Sequence, residues 1–366
     1  MTKVRTLGTQ AITCGRINLA GEHTDYNLGK VMPVGLPFTV TTSIVLNQLK
    51  VSRIYSAHFE QWITIDHAHL QPTMPGHWQN YLYGVLFQLQ EKFGHHFPCV
   101  DAVVDSDVPI GAGLSSSAAL TTSFAKALCT LFGLHIEEIK LAKLCMKAEV
   151  LFANVKCGLL DHAASLLSKV GQALILDCRT FNYYHIPCNL NNCNLIVLNS
   201  HVKHNLSQGG HLNQCNEDCY DAVEVVNQHV HQAQCLADVS IADLRQIKQL
   251  LHPAVYMRAT YMINEMYRFA NYEQALMTGD METMGKLFNQ THYELCNYYY
   301  ISCPEIEALK AIAQSCSGFY GAKLTGGGLG GCTINLVSNE HTELFIDKCC
   351  SQYYKLTEIE CTALLV

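Results

Sequence analysis

The sequence predicts an α+β protein of two lobes, and three observations carry that reading. Apolar residues alternate or run in short stretches at 11–19, 31–42, 50–56, 173–177, 194–199, 332–337 and 357–364, as strands require, whereas 78–93, 136–152, 257–277 and 281–298 carry them at helical spacing. Strands and helices are mixed without a regular βαβ alternation, which argues against a doubly wound parallel sheet. The 366 residues exceed the size at which a single core keeps growing, and Asn and Pro thicken near 180–190. The expected partition is therefore 1–185 and 186–366.

Composition narrows the class of function. Acidic residues outnumber basic ones, 31 to 24, and no basic run carries interleaved aromatics, so no nucleic-acid partner is expected. No stretch is long and apolar enough to span a bilayer, and residues 1–16 lack the apolar segment of an export signal. The 18 cysteines are scattered, and no C-x-x-C pair occurs. They read as reduced, cytoplasmic thiols packed as small hydrophobes rather than as a disulfide framework. No obligate protein partner is inferred.

In order along the chain, the first strand, 11–19, runs into Ala20-Gly-Glu-His-Thr-Asp-Tyr-Asn27, a polar turn dense in groups able to bind hydroxyls. Two further strands and a loop at 72–77 lead to the helix 78–93. A short strand around Val103 and Val104 is then broken by Pro109, Gly111 and Gly113. The run Gly111, Ala112, Gly113, Leu114, Ser115, Ser116, Ser117 feeds a helix opened by Ala118-Ala119-Leu120. A Gly-rich turn at a helix start leaves amide N–H groups unpaired with the positive end of the helix dipole behind them, which makes a phosphate site. The Lys of a Walker A loop is missing. The helix 136–152 places Glu149 near its end, and Cys157-Gly-Leu-Leu-Asp161 brings a lone carboxylate to the head of the helical run 162–167. In the second half, Ser240-Ile-Ala-Asp243 forms a capping box ahead of 244–251, and the helices 257–277, 281–298 and 305–313 follow.

Gly326 to Gly331 satisfies G-x-G-x-x-G, but these glycines precede the strand 332–337, the reverse of the dinucleotide-binding order. They suit a loop that brings backbone close to a ligand or to the other lobe, or a purely structural hairpin. Asp161 sits among apolar neighbours, where a carboxylate needs a cation, and Arg16 is its natural partner. The pair reads as a base and its support, as a fixed electrostatic frame for a hydroxyl, or as a structural ion pair. Glu149 with a hydroxyl from Ser115 to Ser117 would hold Mg²⁺, which takes few protein oxygens beside phosphate and water. Glu22, His23 and Asp25 suit a metal or the hydroxyls of a sugar. His211, Cys215 and Cys219 recur at four-residue spacing, where helix packing accounts for them better than a metal does.

Three segments, in this order, resemble a known family. Gly15-Arg-Ile-Asn-Leu-Ala-Gly-Glu-His-Thr-Asp-Tyr-Asn27 resembles the galactokinase signature, Pro109 to Leu120 the phosphate loop of the GHMP small-molecule kinases, and Lys323 to Thr333 their third motif. The runs 78–85, 157–161 and 302–305 fall where galactokinases carry similar ones, so the likeness spans nearly the whole chain. It implies an N-terminal mixed α/β lobe, a ferredoxin-like C-terminal lobe and a site between them. It also implies MgATP-dependent phosphorylation of the anomeric hydroxyl of D-galactose. By carry-over, Asp161 and Arg16 are catalytic. Glu22, His23, Asp25 and Gly158 contact the sugar, Gly111 to Ser117 the triphosphate and Trp78 the adenine, while Ser117 and Glu149 lie at the metal. The sequence departs from the family at His162, where Gln is usual, and at His211, which aligns with a sugar-contacting Tyr. The change at His211 suggests, as rival readings, a kinase of an N-acetylhexosamine or a pentose. A non-catalytic galactose and ATP sensor is the other rival, against which the intact Ser115 to Ser117, Arg16 and Asp161 speak.

Overall fold

A computed structural model describes residues 8–202 and 210–366. The α+β expectation holds, with two sheets and helices packed on them. The first sheet has eight strands: β1 (Thr9–Asn18), β2 (Lys30–Val31), β3 (Pro33–Leu46), β4 (Ser52–Ser56), β5 (Gln61–Ile65), β6 (Val100–Ser106), β7 (Gln172–Asp177) and β8 (Tyr183–Pro187). Its path runs β2-β7-β3-β6-β4-β5, with β1 also on β3 and β8 on β7, and the β4–β6 pair alone is parallel. The second sheet follows the order β10-β11-β9-β12, from β9 (Cys193–Asn199), β10 (Phe319–Thr325), β11 (Cys332–Ser338) and β12 (Thr362–Leu365). β9 and β11 are central, which explains why each reads as an unbroken buried run rather than an alternation.

Four helices accompany the first sheet: α1 (Gln79–Phe93), α2 (Ser116–Phe132), α3 (Glu138–Ala153) and α4 (Leu160–Leu167). The rest are α5 (Gly210–His229), α6 (Ile241–Gln246), α7 (Pro253–Thr278), α8 (Met281–Asn297), α9 (Pro304–Gln314) and α10 (Thr342–Thr357). Local chemistry sets several boundaries. Ser240 and Asp243 close the expected capping box on α6. The expected helix 244–251 ends early, because a 3₁₀ turn at Lys248–Leu250 intervenes before Pro253 starts α7. The expected strand 357–364 shrinks to β12, because α10 continues to Thr357 and ends on Glu358 at φ +60°.

The largest apolar cluster does not stop between the sheets. Ile17, Leu19 and Phe124 of the first half share it with Phe269, Tyr272 and Phe288 of α7 and α8 and with Ile334 of β11. A buried polar brace runs beside it. Arg268 of α7 donates to both Glu265 and Glu294, and Glu265 Oε1 accepts the Gly21 amide at 2.9 Å. The polar turn 20–27 is thus held from the other half of the chain. No helix among the described residues is long and apolar enough to cross a membrane.

Candidate active site

The site begins at a bulge in β1. The β1–β3 register shifts between Cys14 and Arg16, and the Arg16 amide donates to the Leu114 carbonyl at 3.1 Å. A Cβ on Gly15 would lie 2.8 Å from that carbonyl oxygen, so glycine lets the strand meet the loop 110–115. Arg16 is buried, and its guanidinium makes two connections. Nε and Nη2 reach Asp161 Oδ1 at 2.7 and 2.6 Å, and Nη1 donates to the Gly113 carbonyl at 2.7 Å. Asp161 lies in the first turn of α4, its side chain 30% exposed. Both arginine nitrogens converge on one carboxylate oxygen, so Oδ2 has no donor among the described residues.

Asp161 and Arg16 line a polar cavity with Asn18, Glu22, His23, Asp25, Tyr26, Lys156, Cys157, Gly158, Gly326 and Gly327. Glu22 is buried and already accepts three hydrogen bonds: Oε2 takes Asn18 Nδ2 at 2.6 Å and Lys323 Nζ at 3.0 Å, and Oε1 takes the Gly326 amide at 2.9 Å, which leaves acceptor capacity on Oε1. Burial alone would raise its pKa, but Lys323, Arg16 and His23 outweigh that and hold it below the ordinary value. His23 sits at φ +64° with its ring 5.3 Å from that of Tyr299, and burial lowers its pKa to about 4, so the ring is neutral near pH 7. Asp25 Oδ2 accepts the Leu160 amide at 3.2 Å, and a Cβ on Gly158 would stand 2.0 Å from that oxygen. Gly158 is what admits the carboxylate. Burial, then the Asp161 charge, raise the Asp25 pKa to about 6.

The loop 110–115 enters α2 through three left-handed residues, Gly111 at φ +74°, Gly113 at +73° and Ser115 at +63°. The Ser115 hydroxyl is buried without a partner. Against this loop packs the glycine turn between β10 and β11. A Cβ on Gly326 would come within 2.5 Å of the Gly113 carbonyl oxygen, and one on Gly331 within 3.0 Å of that of Ala112. Those glycines therefore bring the second sheet onto the loop, in a hairpin and not in a dinucleotide-binding unit.

On the other side of α2 a second, more apolar cavity is lined by Phe59, Trp78, Tyr81, Ile110, Ser116, Ser117 and Leu120, with Phe59 and Trp78 stacked 5.9 Å apart. Ser117 Oγ donates to Glu149 Oε1 at 3.1 Å, so the two residues expected at a metal do meet. Two hard oxygen donors beside a helix N-terminus fit Mg²⁺.

The expected sugar contact His211 is not brought to the cavity. It sits in the first turn of α5 near the Tyr300 backbone, Arg258 and Asp218, while Asn213, two residues on, meets the cavity rim by accepting the Lys156 amide at 3.3 Å. Cys215 and Cys219 are buried in the apolar cluster around Tyr261 and Tyr299, as helix packing requires. Sequence reasoning also missed Lys323, Asn18 and Lys156. Lys323 did leave a signal: a lysine between Ala322 and Leu324, in the buried part of its strand, must have a counter-ion.

Comparisons with known proteins identify the family. The description "GHMP kinases N terminal domain" matches residues 80–169, "GHMP kinases C terminal" matches 272–355, and "Galactokinase galactose-binding signature" matches 11–45. A galactokinase of Roseiflexus sp. is 35% identical over 94% of this chain and 87% of its own length. That of Bos taurus is 33% identical over 88% and 82%. The crystal structure of Lactococcus lactis galactokinase complexed with galactose superposes with a TM-score of 0.92 at 27% identity, covering 98% of this chain and 92% of that one. Methanococcus jannaschii mevalonate kinase, at 17% identity and a TM-score of 0.65, shares the fold. With the signature turn, the phosphate loop and the glycine hairpin meeting around Arg16 and Asp161, the chain belongs to the galactokinase family of GHMP kinases.

Proposed function

We propose that the chain transfers the γ-phosphoryl group of ATP to the anomeric hydroxyl of D-galactose, giving galactose 1-phosphate and ADP. One observation carries the reading: Arg16 ties a cavity-lining carboxylate, Asp161, to the backbone of the phosphate loop, so a sugar hydroxyl and a terminal phosphate would meet across a single guanidinium. Phosphoryl transfer is mostly positioning and charge stabilisation, which this arrangement suits.

In this account galactose lies in the polar cavity, held by His23, Asp25, the Gly158 backbone and Glu22. Asp161 Oδ2 accepts the O1 hydroxyl and receives or steers its proton, and Arg16 balances the charge on Asp161 and on the transferring group. The amides of Gly111 to Ser117 and the α2 dipole hold the triphosphate. The adenine stacks on Trp78. Ser117 and Glu149 would hold Mg²⁺, which would supply charge neutralisation for the triphosphate. We place the lobe boundary just beyond the expected 185/186, in the segment between the end of β8 at Pro187 and the start of β9 at Cys193.

The test is a panel of hexoses, N-acetylhexosamines and pentoses in an ATP-consumption assay, with product identified by NMR. Galactose should be preferred and galactose 1-phosphate formed. Preference for another sugar overturns the substrate assignment, and binding without turnover marks a sensor.

A further inference from the structure

Glu149, Cys157 and His162 converge behind the phosphate loop in a way the sugar kinase reaction does not require. Their ligand atoms all lie within 4.8 Å of one another. His162 is fully buried, and neither of its ring nitrogens makes a hydrogen bond. Nε2 stands 3.1 Å from Glu149 Oε2, which is also buried and also without a hydrogen bond. Two buried polar atoms this close, neither with a hydrogen-bond partner, leave lone pairs that a third group between them would satisfy.

That geometry suits a metal. Bonds of about 2.0–2.1 Å to nitrogen and oxygen put the corners of a tetrahedral ion about 3.3 Å apart. The Nε2–Oε2 separation is already near that value, and small closing motions would bring in the Cys157 sulfur. An imidazole, a thiol and a carboxylate select a borderline ion over Mg²⁺, which takes oxygen.

We propose that Glu149, Cys157 and His162 form a three-ligand site for a divalent transition ion of the Zn²⁺ or Co²⁺ class, with a fourth position open to water. It shares Glu149 with the proposed Mg²⁺ position but uses the other oxygen: Oε1 faces Ser117, and Oε2 faces His162. Binding forms the metal–sulfur bond and releases the Cys157 thiol proton to solvent. An ion held on Oε2 would fix Glu149 from behind and compete with Mg²⁺ for it. The site stands on these three side chains and does not depend on which sugar is the substrate.

The experiment is a Co²⁺ titration of the full chain without nucleotide, followed by absorption spectroscopy and calorimetry. One equivalent should bind with tetrahedral ligand-field bands and a thiolate-to-metal charge-transfer band. Cys157→Ser should lose the charge-transfer band. His162→Gln should weaken Co²⁺ and Zn²⁺ binding by about 100-fold or more, at least the loss seen when an outer partner of a metal ligand is removed. Metal-free melting curves establish that both variants fold. Absence of the band in the unmodified chain overturns the site. So does undiminished binding in both variants, which would place the ion on other cysteines and histidines. Should either variant fail to fold, Zn²⁺ must protect Cys157 from alkylation in the unmodified chain, read by peptide mass spectrometry. Unchanged alkylation then overturns the proposal.

Discussion

Replacing Lys323 by Met should loosen the link between the signature turn and the second sheet. Lys323 Nζ lies 3.0 Å from Glu22 Oε2, with both side chains buried. At an effective dielectric of about 20 the bare attraction over that distance is about 5.5 kcal/mol, before desolvation is subtracted. Removing one partner of a buried pair leaves an uncompensated charge and destabilises by about 3–5 kcal/mol. Asn18 and the Gly326 amide still donate to Glu22, so the lower end, about 3 kcal/mol, is expected. For a chain of this length that is a fall in Tm of about 4 °C. Equilibrium urea denaturation and a thermal melt of the unliganded protein measure it. The double variant Glu22→Gln with Lys323→Met removes the stranded charge and should recover at least about half of the loss. A single variant that loses less than about 1 kcal/mol, or a double variant no better than the single, would refute this electrostatic account.

Three further predictions concern the site itself. Arg16→Ala should lower kcat by several orders of magnitude, a ΔΔG‡ of about 4 kcal/mol or more, if the guanidinium stabilises transition-state charge; a rise in KM at unchanged kcat would assign it to binding instead. Asp25 has a folded pKa of about 6, above its ordinary 3.8, so the fold favours its neutral form. Its contribution to stability is full below about pH 4 and is lost as pH rises through about 6, so Asp25→Asn should raise Tm relative to wild type at pH 7 and not at pH 4. An equal gain at both pH values would contradict that origin. Trp78→Ala removes a stacking surface worth about 1–3 kcal/mol and should raise KM for ATP about 5- to 150-fold while leaving KM for galactose unchanged; a change in the galactose KM instead would remove Trp78 from the nucleotide side.

What could be read from the sequence was whatever lies within one motif or follows from a lone charge in apolar surroundings. The loop 110–115 announced itself because glycines and serines at a helix start have few other uses. The Arg16–Asp161 pair was legible because each is a charge on an apolar element that calls for the other. The order of glycines before a strand was enough to set aside dinucleotide binding, and the hairpin packing of Gly326 and Gly331 on Gly113 and Ala112 gives the reason those glycines are there. What stayed hidden depends on partners hundreds of residues apart. Glu22 reads as a sugar contact, but its second task is not in the motif: Lys323 and Gly326 also hold its carboxylate, and Glu265 supports the same turn through the Gly21 amide. No spacing rule connects those positions. For His211, alignment fixes a position along α5 and not the rotation, which in the structure turns Asn213 to the cavity rim and His211 toward Arg258. His162 read only as a departure from the family; its approach to Glu149 depends on how α3 and α4 pack.

The central claim is that Asp161, supported by Arg16, acts on a galactose hydroxyl held beside the phosphate loop. Its most direct test is Asp161→Asn, assayed for galactose 1-phosphate formation with MgATP and, in parallel, for galactose binding by calorimetry. The account predicts turnover reduced by about 10²- to 10⁴-fold or beyond detection, with a folded protein that still binds galactose. Turnover comparable to wild type would contradict it.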